Sequence, residues 1–136
     1  MSRIETILLA TDASPASEAA TEAAIDLACG LGARLLVLSV LPGASPGTSS
    51  GRQLALEGIV ASARAAGAIA EELLWEGDPG ETIVEAAQAE SADLIVVGTH
   101  GRGPVGRLFL GSVSDHVVRH ARCPVTVVRP LRTTPG

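Results

Sequence analysis

A chain of 136 residues, 46% of them hydrophobic, with a mean hydropathy of +0.35, suits one domain with a single substantial core rather than a disordered segment. No apolar run approaches the roughly 18 residues that would span a bilayer. The formal charge is −5, and Trp75 and Phe109 are the only aromatic residues, so no base-stacking platform for nucleic acid is evident.

The charges are unevenly placed. All ten basic residues are Arg, which rules out a P-loop lysine, Schiff-base chemistry and a lysine general base. Residues 98–136 hold six Arg against Asp115 alone, whereas residues 1–97 hold four Arg against fourteen acids. A locally basic field attracts anionic ligands, although scattered surface Arg would give the same count. Cys29 and Cys123 form neither a disulfide framework nor a metal spacing and are expected to be small core hydrophobes. The opening Met-Ser-Arg-Ile-Glu-Thr leads into an apolar run broken by Asp12, unlike a secretory signal, so a soluble cytoplasmic protein is expected.

In chain order, Ile7 to Ala10 is a short apolar run that ends before Asp12, as expected of a buried strand. Ser14-Pro15 then marks a helix start, and Ala20, Ala24, Leu27, Ala28 and Leu31 repeat at helical spacing until Gly30 or Gly32 stops them. Leu35 to Val40 is a second buried strand. Pro42 to Gly51, rich in Pro, Gly and Ser, is expected to be a flexible loop (residues 42–51), followed by a helix from Arg52 to Ala66. Ile69, Glu71, Leu73 and Trp75 share one face of a third strand. Asp78-Pro79-Gly80-Glu81 has the spacing of a capping box and opens a helix to about Ala89. Leu94 to Val97 and Val125 to Val128 are the fourth and fifth strands, with Val113, Val117 and Val118 on the helix between them. Continuously apolar strands alternating with helices indicate a parallel sheet covered on both faces, in one α/β domain spanning residues 1–136.

The most informative stretch runs from Asp93 to Arg129. A strand ends at Gly98, a glycine-rich loop follows, and Gly111, Ser112 and Ser114 stand where a helix begins. Glycines permit close backbone approach, and a helix N-terminus offers free N–H groups to an anion, so this is a candidate phosphate site. Gly101-Arg102-Gly103-Pro104-Val105-Gly106 fits the dinucleotide fingerprint in letters only. It follows the fourth strand rather than the first, and the next strand ends in Arg129 instead of an acid.

The wider frame, Gly98-x2-Gly101-x9-Gly111-Ser112, resembles the universal stress protein family, in particular its ATP-binding branch, marked by G-x2-G-x9-G-S/T. Thr11-Asp12-Ala13-Ser14 resembles the family's T-D-x-S, Ser39-Val40 the end of its second strand, Gly77-Asp78-Pro79 its G-x-P helix start, and Cys123-Pro124-Val125 the lead into its last strand. The resemblance implies an open, Rossmann-like five-stranded parallel sheet in the order 3-2-1-4-5, with helices on both faces. It implies a nucleotide-binding set of Ala10, Thr11, Asp12, Val40, Val97, Gly98, His100, Gly101, Arg102, Gly111, Ser112, Val113 and Ser114. Asp12 would approach the adenosine, the Val40 backbone the adenine, Gly98, His100 and Gly101 the ribose and α-phosphate, and residues 111–114 the outer phosphates. Ala10 stands where some relatives have Pro.

The resemblance implies ATP, or ADP or AMP, as ligand, with Mg²⁺ carried on the nucleotide, and a homodimer through the Val125–Val128 edge strand. No protein metal ligand, nucleic acid or membrane is implied. Bland readings stand beside these. Asp12 and Ser112 could act only as caps, His100 as a loop hydrogen-bonder, and Arg102 and Arg107 as solvated charges. His116 and His120, one turn apart, offer either a metal pair or a plain surface face. The expected function is a regulatory stress-response module with at most slow ATP hydrolysis or autophosphorylation. The alternatives are a non-nucleotide adaptor of the same fold and an adenine-nucleotide hydrolase or transferase. The enzymes of that last class need S-G-G-x-D-S or H-x-G-H after the first strand, where this chain has Ala10-Thr11-Asp12-Ala13-Ser14.

Overall fold

The computed structural model describes residues 3–43, 46–99 and 111–130. Five strands, β1 (Thr6–Ala10), β2 (Arg34–Leu41), β3 (Ile69–Glu76), β4 (Leu94–Gly98) and β5 (Val125–Val128), form one parallel sheet in the order β3-β2-β1-β4-β5. Four helices connect them: α1 (Glu18–Leu31), α2 (Pro46–Ala65), α3 (Pro79–Ala89) and α4 (Ser112–His120). No helix among the described residues is long and apolar enough to cross a membrane.

The alternation of side chains along the strands divides the core in two. Ile7, Leu9, Leu35, Val37 and Val96 face Ala20, Ala24 and Ala28 of α1 and Leu56, Val60 and Ala63 of α2. Leu8, Leu36, Leu38, Ile95 and Val97 face Ile83, Ala86 and Ala87 of α3 and Val117 of α4. The strands are therefore apolar on both faces, which is why they read as unbroken hydrophobic runs. Alanines on α1 bring that helix close to the sheet. The large strand side chains are fully buried, and truncating any of them to Ala would cost about 2–5 kcal/mol.

Local chemistry sets the element ends. Ser14 is extended (ψ 162°) ahead of Pro15, but a single 3-10 turn, Pro15–Ser17, precedes α1, and the Ser14 side chain makes no capping bond. Gly32 (φ 66°) ends α1 in the left-handed conformation. Asp78 caps α3 by accepting from Glu81 N at 3.2 Å, with Pro79 at the first helical position. At the amino ends of the central strands, Asp93 Oδ2 accepts from Glu5 N (2.9 Å) and Thr6 N (3.0 Å), clamping the start of β1 beside β4.

Two sequence expectations differ from the structure, at the start of α2 and at Cys29. Helix α2 begins at Pro46, inside the stretch read as loop, because proline is pre-set for a first helical turn and the Gly and Ser after it did not prevent continuation. On the strand face shared by Ile69, Glu71, Leu73 and Trp75, burial falls off toward the start of β3: Ile69 is 72% exposed, whereas Leu73 and Trp75 are half-buried. Cys29 is exposed, its thiol donating to Ala66 O at 3.4 Å, while Cys123 packs partly against the α3–α4 core.

Two outcomes follow from this packing. Gly77 has φ 145°, and a Cβ there would collide with Thr82 Oγ1. Gly77→Ala should cost about 1–3 kcal/mol, read as a lower thermal midpoint, and an unchanged midpoint would refute the strain. Burial, then the neighbouring Asp93 charge, raises the Cys123 thiol pKa above its ordinary 9.0. A disulfide reagent at neutral pH should therefore modify Cys29 well before Cys123, and equal rates would contradict this.

Candidate functional site

The right-handed path that lays β1, β2 and β3 in one direction and β4 and β5 in the other leaves a crevice at the carboxyl ends of β1 and β4. A cleft of about 320 Å³ occupies that position, within the range of small-molecule sites. Its floor is Ala10, Leu38, Val97 and Gly98, the last residues or near-last residues of β1, β2 and β4. Val40, Pro42 and Arg52 line the β2 side, Pro79 and Ile83 come from α3, and Thr99, Val113 and Ser114 complete the β4 side.

The turn after β1 is tightly cross-linked. Thr11 N donates to Leu38 O (2.9 Å), Ala13 N donates to Thr11 Oγ1 (3.0 Å), and Thr11 Oγ1 donates to Ser17 Oγ (2.9 Å). Ser17 Oγ in turn donates to Ser14 O at 2.7 Å. Asp12 Oδ1 accepts from Ser14 N at 2.9 Å, and Ala13 between them has φ 62°, which is uncommon for a non-glycine residue. The carboxylate is exposed and belongs to the cleft wall, so Asp12 both closes the turn and faces the cleft.

At the other end, α4 starts at Ser112 after Gly111, whose backbone is extended (φ −60°, ψ 161°) and which has no side chain to cap the helix. Among the described residues the N–H groups of the first turn thus have no side-chain cap, and the helix dipole adds partial positive charge there. Ser114 is buried, and its hydroxyl donates to Gly111 O at 3.1 Å.

Of the expected site residues, Ala10, Thr11, Asp12, Val40, Val97, Gly98, Val113 and Ser114 come together in the cleft wall. Gly111 is buried and Ser112 exposed at the head of α4, and neither is in the wall formed by the described residues. His100, Gly101 and Arg102 lie outside the described residues, as does Arg107. Gly98 sits in ordinary strand backbone, and a Cβ there would meet Ala20 Cβ at 3.5 Å, an ordinary contact, so the left-handed freedom expected of it is not used. Sequence reasoning missed Arg52, Thr99, Pro79 and Ile83 as wall residues. Pro79 had a signal, since its capping motif directs α3 toward the sheet's carboxyl end. Arg52 had none.

His116 and His120 stack on each other with ring centroids 4.1 Å apart, and His120 Nδ1 donates to His116 O at 2.9 Å. His116 also packs over Gly80, where a Cβ would stand 2.9 Å from its Cβ and Cγ. The pair thus joins α4 to the N-terminus of α3. Among the described residues no group of three or more His, Cys, Asp or Glu is placed to hold a metal ion.

The chain matches the universal stress protein family over residues 3–129. It is 42% identical to a universal stress protein of Thermus aquaticus across 135 residues, covering 92% of this chain and 98% of that one. Several further relatives are matched over only about a third to a half of their own length. A universal stress protein solved in complex with cAMP superposes with a TM-score of 0.77 at 30% identity, covering 96% of this chain and all of the other. The Archaeoglobus fulgidus universal stress protein in complex with dAMP gives a TM-score of 0.77 at 26% identity, with 93% and 98% covered. A family match over nearly the whole chain, with the sheet order and crevice that the glycine frame implied, makes this protein a member of the universal stress protein family.

Proposed function

We propose that this protein is a regulatory module that binds an adenine nucleotide, with ATP as the principal ligand and Mg²⁺ carried on its phosphates. The observation that carries the reading is the two-ended cleft at the carboxyl ends of β1 and β4. One end is apolar, lined by Leu38, Val40 and Pro42, and suits a base. The other is the uncapped N-terminus of α4 with Ser114, and suits phosphate. Asp12 lies on the turn between, where a carboxylate accepts from ribose hydroxyls. The cAMP and dAMP complexes of relatives support the class of ligand. His100, Gly101, Arg102, Gly111 and Ser112 complete the proposed set around the phosphates. Binding would act through loop order or partner association in a stress response.

Without lysine, the chain lacks one common means of stabilising a transferring phosphoryl group. Steady-state ATP turnover should therefore fall below about 1 s⁻¹, and faster turnover would make the protein an enzyme of the hydrolase class.

Native mass spectrometry followed by ATP titration tests the site. Asp12→Ala should weaken ATP about tenfold, or ~1.4 kcal/mol, and Gly111→Val at least as much by filling the approach to α4. The Gly111 backbone is in a region valine adopts without strain, and a melting curve checks that each variant stays folded. Wild-type affinity retained in both variants would sink the site. Wild-type protein that neither retains nor binds ATP would support the adaptor reading.

Among the described residues the edge strand β5 pairs only with β4, and its four residues are half-buried. An apolar edge invites pairing with another copy. Light scattering at micromolar concentration should give twice the 13.7 kDa chain mass, and a clean monomer would refute dimerisation through β5.

A further inference from the structure

We infer that Arg52 is a base-recognition residue: its guanidinium, held in place by Ser39, lies against the face of the purine of the bound nucleotide. The inference rests on the nucleotide reading of the cleft.

Arg52 projects from the first half of α2 and is half-buried in the cleft wall. One guanidinium nitrogen, Nη1, donates to Ser39 Oγ at 2.6 Å. Ser39 is 1% exposed on β2, next to Val40, so this anchor is rigid. Three of the other described arginines have protein partners. Arg34 pairs with Glu71 at 3.1 Å, Arg119 pairs with Asp115 at 2.9 Å, and Arg64 Nε donates to Ala70 O at 3.0 Å. Arg52 forms no ion pair with a described carboxylate. Its partner is a neutral hydroxyl, which engages one of five N–H donors and leaves the charge uncompensated. Holding a cation partly out of water in that state is unfavourable unless something arrives to meet it.

The surroundings decide what that is. Leu38, Val40 and Pro42 share the cleft wall with Arg52 and offer no side-chain acceptors; Leu38 and Val40 pack with the α3–α4 core, so they meet the α2 side of the cleft across the carboxyl edge of the sheet. The α4 N-terminus and Ser114 stand beyond β1 and β4, so the two ends of the cleft are about two strand spacings apart, or ~10 Å. A phosphate chain seated at α4 directs the other end of the ligand toward Arg52. A planar, weakly hydrated guanidinium stacks favourably on a π face while its N–H groups stay in its own plane, one of them on Ser39. Arg52 therefore completes the apolar end as a lid over the base and favours purines over smaller bases.

Isothermal titration of the folded chain with ATP and, separately, with adenosine tests this. Arg52→Ala should weaken both ligands by the same factor, about tenfold. Arg52→Lys should fail to restore either, because an ammonium has no plane to stack. Ser39→Ala should weaken both by a smaller shared factor. Weakened ATP with unchanged adenosine would place Arg52 on the phosphates and overturn the proposal, as would full affinity in Arg52→Ala or full rescue by Arg52→Lys. Wild type that binds ATP but not adenosine also overturns it. Wild type that binds neither removes the nucleotide reading itself, which distinguishes that failure from the failure of Arg52 alone.

Discussion

The handedness of the crossovers is the constraint on which the rest depends. Parallel strands joined through helices adopt right-handed connections almost without exception. The chain runs β1 to β2 to β3 toward one edge, then returns to place β4 against the other side of β1. With the hand held constant, reversing direction moves the helices to the opposite face. Helices α1 and α2 therefore cover one side, and α3 and α4 the other. Between β1 and β4 the connections diverge, and no helix among the described residues closes the carboxyl ends. The cleft is a geometric consequence of that divergence, and whatever side chains end β1, β2 and β4 become its floor.

The mouth of the cleft is shaped by close contact between α3 and α4. Gly77 and Gly80 flank Pro79, and both sit where a Cβ has no space. Gly77 turns the chain out of β3 in a conformation costly for other residues, Asp78 starts the helix, and Gly80 lets His116 pack directly on its backbone. The same contact sets the position of α4 and so of its N-terminus. Fold stability and ligand geometry thus draw on one set of residues, and the stacked His116–His120 pair is part of that contact rather than a separate site.

The net charge of −5 is a poor guide to this cleft. Its local field comes from a helix N-terminus without a side-chain cap at one end and from the Arg52 guanidinium at the other, with the Asp12 carboxylate between. Such an arrangement matches a ligand that is anionic at one end, rich in hydroxyls in the middle and flat at the other. The hydrogen-bonded turn from Thr11 to Ser17 holds Asp12 in place before any ligand arrives, which lowers the ordering cost of binding.

Local pattern carried much of the fold. Strand runs, the Asp78-Pro79 cap and the Gly32 stop were readable because each depends on residues a few positions apart, whereas the sheet order came only from the family resemblance. Where reading failed, a non-local term outweighed the local one. Composition marked Pro46 to Gly51 as loop, yet packing of the later turns over β2 and β3 supports a helix through it. Cys29 was expected in the core, but the seating of α1 on the sheet leaves it exposed. In the site, Ala10, Asp12, Val97 and Gly98 were legible as strand ends, whereas Arg52, Thr99 and Ile83 join them only through the crossing of distant elements. By itself the sequence determined the alternation of strands and helices, the glycine spacing and the absence of lysine, since these are properties of neighbours and of composition. Tertiary structure alone decided which cation faces the cleft and which serine lines it, because the direction of a side chain depends on how its helix seats on the sheet.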